Sequence, residues 1–263
     1  MQKQQDNKPP IVMCFSGHDP SGGAGIQADI ESINAHHARA CTVITALTVQ
    51  DTQDVQQLIP VELTDFKNTA RTLLNDVLPR AFKTGLLSDS NIAQAICEIK
   101  RQHLSVPLVV DPVLASGAGS RLSNESLVQT LREKLLPLAT IATPNLPEAQ
   151  TISGEKNPDA SAEKMLAMGC QHILLTGTHA NTEHVVNTLY SQNEKIEFEV
   201  ERLTGEFHGS GCTLAASLAA NLANQHEINN AVKQALDYTW QTLKHAQVIG
   251  KGQLLPKRNF SHD

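Results

Sequence analysis

The segment at residues 207–213, FHGSGCT, carries residue types and spacing well suited to chemistry. Gly209 and Gly211 flank Ser210, and glycines there let successive backbone N–H groups converge on one point. The start of the helix predicted to follow favours an anion through its unpaired N–H groups and its dipole. Cys212 falls in that first turn, where the dipole is expected to lower the thiol pKa. The segment thus predicts an oxyanion cradle with a candidate base; the alternative is a turn that ends a strand, with Cys212 as a buried structural residue.

A second glycine-rich loop, GHDPSGGAG, occupies residues 17–25. It lies between an apolar stretch at 11–16 and a helical pattern at 26–37. The loop is neither of two well-known nucleotide motifs: the Walker pattern requires Lys-Ser/Thr after Gly22, and the dinucleotide spacing Gly-x-Gly-x-x-Gly is absent. Its small residues would still let the backbone approach a ligand closely.

Three side chains with oxygen donors follow predicted strands. Asp111 ends the strand predicted over 106–111, and Asn145 and Glu148 follow the strand predicted over 140–142. Ligands gather at the carboxyl ends of strands in open α/β sheets. An Asp, Asn and Glu set suits Mg²⁺ held mostly through water and substrate phosphates. A helix cap at Asn145 and an Asp-Pro turn at Asp111 are the alternatives.

Apolar strands alternate with helical patterns along the chain, which predicts an α/β fold with a mostly parallel central sheet covered on both faces. The helix predicted over 123–135 has Ser123 as its expected cap. Alternating apolar and polar residues over 183–201 predict an antiparallel pair near one sheet edge. We expect a single domain over residues 11–263, after a poorly ordered tail at residues 1–10.

Composition excludes several classes of protein. The net charge of −6 and the 3% aromatic content argue against a nucleic-acid partner. No apolar run reaches membrane-spanning length, and the first ten residues do not resemble a secretory signal. Five scattered cysteines without Cys-x-x-Cys spacing favour neither a disulfide framework nor a zinc site. We therefore expect a cytoplasmic protein with no membrane partner.

Six motifs, taken in order, resemble those of the ribokinase superfamily, and within it the hydroxymethylpyrimidine and phosphomethylpyrimidine kinases of thiamine biosynthesis. They are SGHDPSGGAGIQAD (16–29), VITALTVQDT (43–52), KTGLL (83–87), VDPV (110–113), IATPNLPEA (141–149) and HGSGCT (208–213). The resemblance implies a three-layer α/β/α fold that uses ATP and Mg²⁺. It also implies transfer of the γ-phosphoryl group first to the hydroxymethyl oxygen of a pyrimidine and then to the resulting monophosphate. A homodimer is the expected assembly.

The resemblance also implies roles for individual residues. The catalytic turn comprises Gly209, Ser210, Gly211 and Cys212. The metal and phosphate shell includes Asp111 and Glu148. The expected substrate contacts are Gly17, Asp29, Gln50, Leu86 and Val113. The expected nucleotide contacts are Asn145, Thr176, Gly177, Thr178, Gly209 and Gly211.

Two of these assignments also have a basis in side-chain chemistry. The amide of Gln50 offers a donor and an acceptor that match the amino group and ring nitrogen of a pyrimidine. Cys212 stands where most ribokinase relatives have Asp, and its thiolate could accept the substrate proton or orient the hydroxyl. Asp29 could contact the ligand or only the surroundings of its own helix.

One departure from the family pattern leaves alternatives open. The family usually has Lys-Gly-Gly-His where this chain has TGTH at residues 176–179, so a cation is missing. Arg121 could supply the charge, or it could be a solvated loop residue. A kinase of pyridoxal or another ring alcohol is the first alternative function, and a non-catalytic pyrimidine-sensing paralogue is the second.

Overall fold

The computed structural model describes residues 8–117, 119–177 and 183–259. Within these residues nine strands form one sheet: β1 (Ile11–His18), β2 (Arg39–Gln50), β3 (Val55–Pro60), β4 (Ala81–Thr84), β5 (Leu108–Val110), β6 (Ile141–Ala142), β7 (Ile173–Leu175), β8 (His184–Tyr190) and β9 (Lys195–Glu201). Their order is β3-β2-β1-β4-β5-β6-β7-β8-β9. The six strands from β2 to β7 in this order are parallel, and β3 and β8 run antiparallel to their neighbours. The mostly parallel sheet predicted from the sequence is confirmed.

Eight α-helices lie within the described residues: α1 (Gly25–Ala35), α2 (Leu63–Leu74), α3 (Ser90–Gln102), α4 (Glu125–Thr130), α5 (Leu146–Ser153), α6 (Pro158–Ala167), α7 (Ser210–Ala223) and α8 (Ile228–Lys244). Helices α2 to α6 contribute buried residues to a core on one face of the sheet. Helices α1, α7 and α8 contribute to a separate core on the other face. This arrangement confirms the three-layer α/β/α fold.

Strand β1 shows why the sheet needs helices on both sides. Met13 and Phe15 enter one core, whereas Val12 and Cys14 enter the other, because successive side chains of a strand point to opposite faces. All four are almost completely buried. A strand buried on both faces has a continuous apolar sequence rather than an alternating one. The first residues of β1 follow this pattern.

The order of the strands creates a place for a ligand. The chain moves from β1 to β2 on one side and later returns to place β4 on the other side of β1. Such a reversal opens a crevice at the carboxyl ends of the strands. The glycine loop at residues 17–25 runs from the last two residues of β1 to the first residue of α1.

Several local predictions are confirmed and others are wrong. The antiparallel pair predicted over 183–201 is the hairpin of β8 and β9 at one sheet edge. Strand β3, antiparallel to β2 at the other edge, was not predicted, because its sequence VQQLIP lacks alternation and ends in proline.

The cap of α4 also differs from the prediction. Asn124, not Ser123, caps the helix, because the Asn124 side chain accepts a hydrogen bond from Leu127 N at 2.9 Å. Helical structure then continues as a π-helical segment (Leu131–Leu135) and a short 3₁₀ turn (Leu136–Leu138).

Most of the predicted N-terminal tail, residues 1–7, lies outside the described residues. The carbonyl of Pro10, within the predicted tail, accepts a hydrogen bond from Arg39 N at 2.8 Å. Among the helices of the described residues, none combines the length and the apolar character needed to cross a membrane.

Candidate active site

The turn that begins α7 has the geometry of an anion cradle. Gly209 caps the helix with φ +87°, and Thr213 N is the first helical donor to bond back to Gly209 O, at 3.0 Å. The N–H groups of Ser210, Gly211 and Cys212 therefore have no acceptor within the helix. Gly211 is exposed, and a Cβ added to it would meet no atom within 4 Å. The cradle is open to a ligand.

The glycine loop at residues 17–25 is held by one carboxylate. Asp19 Oδ1 accepts hydrogen bonds from the backbone N–H and the hydroxyl of Ser21, both at 2.8 Å, and Oδ2 accepts from Ala24 N at 2.7 Å. His208 Nε2 lies 2.8 Å from the same Oδ2. Burial opposes ionisation of Asp19, but the hydrogen bonds from His208 and Ser21 hold its pKa below its usual value. The pair Asp19–His208 thus joins the two glycine segments.

The cysteine in the cradle is not the activated thiolate that the sequence predicted. Burial raises the pKa of the Cys212 thiol to about 12, with the neighbouring Asp111 and Asp29 adding to the shift and Lys83 opposing it. The expected effect of the helix dipole is smaller than the cost of an anion among buried carboxylates. The raised pKa therefore favours the thiol form of Cys212 over the thiolate.

This protonation state predicts slow alkylation. Iodoacetamide reacts with the thiolate, so native Cys212 should react about tenfold or more slowly at pH 7.5 than in urea-unfolded protein, and its rate should rise with pH. Peptide mass spectrometry over a time course measures this rate, with the partly exposed Cys41 as an internal comparison. Alkylation of Cys212 ahead of the other four cysteines in the folded protein would contradict the raised pKa.

A buried ion pair lies beside the cradle. Lys83 Nζ lies 2.8 Å from Asp29 Oδ1, both side chains have no exposed surface, and Nζ also donates to Ser16 Oγ at 3.2 Å. Burial by itself would lower the pKa of Lys83, but Asp29, Cys212 and Asp111 raise it above its usual value. The predicted substrate contact at Asp29 is thus corrected, because a carboxylate without accessible surface contacts its partner lysine instead. Lys83, which lies within a quoted motif, was not recognised as part of the site.

Two carboxyl groups near the ends of β5 and β6 are suited to a cation. Burial raises the pKa of Asp111 to about 6, and burial together with Asp111 raises the pKa of Glu148 to about 8. Asp111 Oδ2 is buried without a hydrogen-bond partner. A bound cation would balance the negative charges of both buried carboxylates, and oxygen donors of this kind fit Mg²⁺. In the part of the chain that the structure describes, no three His, Cys, Asp or Glu side chains form a metal cluster, so water or substrate phosphates would complete the coordination.

Glu148 also has a structural role. Asn145 caps α5 and forms a capping box, in which Glu148 N donates to Asn145 Oδ1 and Asn145 N donates to Glu148 Oε2, both at 2.9 Å. Glu148 Oε1 accepts from Leu114 N at 3.4 Å. The cap considered as an alternative for Asn145 is therefore present, and it fixes the carboxylate of Glu148 near Asp111.

Three of the residues expected to contact a nucleotide, Asn145, Thr176 and Gly177, lie just after β6 and β7. Thr176 forms an isolated bridge with Asn145, and its N–H donates to Pro144 O at 3.0 Å. Gly177 N donates to Asn187 Oδ1 at 3.3 Å. Thr178 lies outside the described residues. The structure thus brings Asn145 and Thr176 together.

Arg121, the candidate replacement for the missing family lysine, is exposed. Its Nε donates to Ser123 O at 2.7 Å, as expected of a surface loop residue. That Arg121 supplies the positive charge missing at Thr176 stays a prediction.

Other expected substrate contacts surround the glycine loop. The Nε2 atom of Gln50, at the end of β2, lies 3.2 Å from His208 Nε2. A Cβ added to Gly17 would lie 3.0 Å from the side chain of Leu86, so these two residues are neighbours. Gln50, Leu86 and Val113 are all partly exposed and accessible to a ligand. Asp19 and His208 were not predicted as site residues, although both lie in quoted motifs.

The fold and the site together define a class of protein. A mostly parallel sheet between two helical layers, with a glycine loop after β1 and an anion cradle at α7, is the architecture of ribokinase-like small-molecule kinases. Residues 19–256 match the family model described as phosphomethylpyrimidine kinase. The chain belongs to the phosphomethylpyrimidine kinase family and is a phosphotransferase.

Individual relatives agree in fold but differ in substrate. The hydroxymethylpyrimidine/phosphomethylpyrimidine kinase of Staphylococcus aureus (strain Mu50) is 33% identical over 254 residues, which cover 94% of this chain and 92% of that protein. The structure of the phosphomethylpyrimidine kinase of Clostridium difficile 630 has a TM-score of 0.78 at 33% identity, covering 90% of this chain and 100% of that chain. The pyridoxal kinase of Bacillus subtilis, solved as an ADP complex, has a TM-score of 0.87 at 28% identity, covering 95% of this chain and 98% of that chain.

Proposed function

We propose that this protein phosphorylates 4-amino-5-hydroxymethyl-2-methylpyrimidine and then its monophosphate, with ATP and Mg²⁺, in thiamine biosynthesis. The observation that carries the proposal is the position of Gln50 at the end of β2, where its amide lies beside His208, the residue before the cradle. The family match and the names of the relatives at 33% identity support it. The proposal treats residues 11–263 as one kinase domain in a cytoplasmic homodimer.

The cradle provides the site for the transferred phosphoryl group. The N–H groups of Ser210, Gly211 and Cys212 and the α7 dipole favour its negative charge. Asn145, Thr176 and Gly177 are proposed to contact the nucleotide. The Bacillus subtilis relative of the same fold was solved as an ADP complex, which supports nucleotide binding. Mg²⁺, held through Asp111 and Glu148, would neutralise charge on the phosphate oxygens.

Cys212 has an orienting role in this proposal. Phosphoryl transfer requires mainly alignment of the reacting oxygens and stabilisation of charge, because little bond formation to the nucleophile precedes the loose transition state. Burial raises the pKa of the Cys212 thiol, so the proposal assigns it no role as a general base. We assign the Cys212 sulfur to orienting the substrate hydroxyl, with Asp111 as its neighbour. The buried Lys83 keeps a positive charge beside this pair.

Recognition of the pyrimidine is assigned to Gln50. His208 can donate its Nε2 proton to Asp19, with which it makes the shorter contact, 2.8 Å against 3.2 Å to Gln50. The amide of Gln50 then retains hydrogen-bonding capacity for the ligand. Gly17 and Leu86 supply a surface against which an aromatic ring can pack.

A pyridoxal kinase is the second candidate, favoured by the TM-score of 0.87 to the Bacillus subtilis pyridoxal kinase. Both candidates transfer a phosphoryl group to a hydroxymethyl group on an aromatic ring, so the cradle alone does not distinguish them. Gln50 favours the aminopyrimidine because its amide has both a donor and an acceptor for the amino group and the ring nitrogen.

Gln50→Leu tests the substrate assignment. The variant removes the amide at similar volume and leaves polar groups of the pyrimidine unpaired, which costs about 1–3 kcal/mol. We expect kcat/KM for the pyrimidine to fall by about 5- to 150-fold, while KM for ATP changes by less than about twofold. Steady-state kinetics with each substrate varied in turn gives both values.

Gln57→Leu is the matched control, because Gln57 is an exposed residue of β3 in the same hairpin. It should behave like the unmodified protein. A parallel loss of pyrimidine and ATP affinity in Gln50→Leu would show that Gln50 is structural and would remove the basis for the pyrimidine assignment.

A further inference from the structure

The segment after α8 returns to the two glycine segments. His208 N donates to Leu254 O, and Leu254 N donates to Glu206 O, both at 2.9 Å. Four residues later, Arg258 is only 3% exposed, and its carbonyl accepts a hydrogen bond from the Tyr238 hydroxyl at 2.9 Å. Arg258 lies beyond residue 256, where the match to the family model ends. A buried arginine requires partners for its charge and its N–H donors, and its contacts show what they are.

The Arg258 guanidinium connects the glycine loop to α7. Nη1 donates to Gly22 O at 3.2 Å, and Nη2 donates to Gly23 O. Nε donates to Thr213 Oγ1 at 2.9 Å, and the Thr213 hydroxyl in turn donates to Gly209 O at 2.8 Å. One side chain thereby links the glycine loop to the residue that begins the cradle.

The two glycine segments are also in direct contact. A Cβ added to Gly209 would overlap Gly23 O and would lie 3.1 Å from Arg258 Nη2. Gly209 has a positive φ, and the position of its carbonyl depends on the hydrogen bond from Thr213. The guanidinium lies beside this contact and donates to the carbonyls of Gly22 and Gly23.

The identity of the residue matters for this arrangement. A guanidinium has five N–H donors in a planar fork, whereas a lysine ammonium has three donors on one atom. The additional ion pair with Glu31, at 3.2 Å, involves a carboxylate that is half exposed and contributes little. The hydrogen bonds to Gly22, Gly23 and Thr213 are therefore the main function of the side chain.

We propose that Arg258 is a positioning residue for phosphoryl transfer, which holds the glycine loop at residues 17–25 against the α7 turn so that the cradle keeps one geometry. The kinetic part of this inference rests on the proposed kinase function. The structural part, the locking of the two segments to each other, is independent of the substrate.

The experiment compares Arg258→Ala and Arg258→Lys with the unmodified full-length protein. Arg132→Ala is the matched control, because Arg132 also donates to backbone carbonyls, those of Thr151 and Ile152, on α5. Two readouts are taken: amide hydrogen exchange of residues 19–25 and 207–213 without ligands, and kcat and KM in the kinase assay.

In Arg258→Ala we expect the hydrogen-bonded amides of both segments, those of Gly22, Ala24, His208 and Thr213, to exchange about tenfold or more faster. We also expect kcat to fall about 10- to 100-fold, with a smaller change in KM for the pyrimidine. Arg258→Lys should retain the charge but remain about fivefold or more below the unmodified kcat, because it cannot reach the three acceptors at once. Added guanidinium ion should partly restore the activity of Arg258→Ala. Arg132→Ala should lower the melting temperature and leave the exchange of both segments and kcat unchanged.

Unchanged exchange and kcat in Arg258→Ala would overturn the inference, as would an Arg258→Lys variant equal to the unmodified protein. If Arg258→Ala does not fold, hydrogen exchange and kcat of Arg258→Lys test the positioning role instead. An unmodified protein that turns over no ring alcohol would refute the proposed function instead, and hydrogen exchange would then decide the positioning role alone.

Discussion

Gly211→Ala is expected to leave the protein folded and to remove most of its kinase activity. A Cβ at this position meets no atom within 4 Å, and alanine is favoured over glycine within a helix by about 0.5–1 kcal/mol. The methyl group would occupy open space at the first turn of α7, where the phosphoryl oxygens must approach the backbone N–H groups. We expect kcat/KM to fall about 100-fold or more at an unchanged or raised melting temperature.

Gly209→Ala provides the comparison, measured by the same assay and by thermal unfolding. Its Cβ would overlap Gly23 O, and its φ of +87° is strained for any residue with a side chain. This variant should lose both stability and activity. Full activity in Gly211→Ala would show that the phosphoryl group does not bind at the α7 turn.

Asp111→Asn is expected to change activity and stability in opposite directions. The substitution keeps the shape of the side chain but removes an anionic ligand for Mg²⁺, so kcat/KM should fall about 1000-fold. Stabilisation of the protein by Mg²⁺ with ADP, measured as a shift in melting temperature, should decrease in parallel.

The sign of the stability change follows from the raised pKa of Asp111. Its folded pKa of about 6 exceeds the ordinary value of 3.8, so the folded state binds more protons than the unfolded state between these values. The contribution of Asp111 to the free energy of unfolding is therefore lost as pH rises from about 4 to 6, and it is not recovered above pH 6. In metal-free buffer at pH 7.5, Asp111→Asn should be more stable by an amount on the order of 1–3 kcal/mol.

Asp159→Asn is the control for both effects, because Asp159 is a surface residue paired with Lys195. It should change neither turnover nor the response to Mg²⁺. An Asp111→Asn variant that keeps its Mg²⁺ dependence would show that the metal binds elsewhere.

The sequence predicts the fold well because its main determinants are local. Strand β1 is recognisable as a continuous apolar run before a glycine loop, and the hairpin of β8 and β9 by its alternation. Strand β3 has no such pattern, since only pairing with β2 makes it a strand. Its detection requires knowledge of tertiary contacts.

The candidate site is harder to predict from the sequence, because the protonation states of its side chains depend on how deeply the fold buries them. The position of Cys212 at a helix start is visible in the sequence, but its raised pKa comes from burial beside Asp111 and Asp29. Asp29 is separated from Lys83 by 54 positions, so their ion pair appears only in the folded chain. Arg258 has no motif around it and is separated from Gly22 by 236 positions.

The activity that we propose is phosphorylation of hydroxymethylpyrimidine and of its monophosphate. The most direct test is an ATP-coupled assay with Mg²⁺ in which hydroxymethylpyrimidine, its monophosphate and pyridoxal are compared under one set of conditions. We predict turnover of both pyrimidines, with kcat/KM for hydroxymethylpyrimidine at least about tenfold above that for pyridoxal, a ratio that corresponds to about 1.4 kcal/mol. A preference for pyridoxal, or no turnover of either pyrimidine, would contradict the claim.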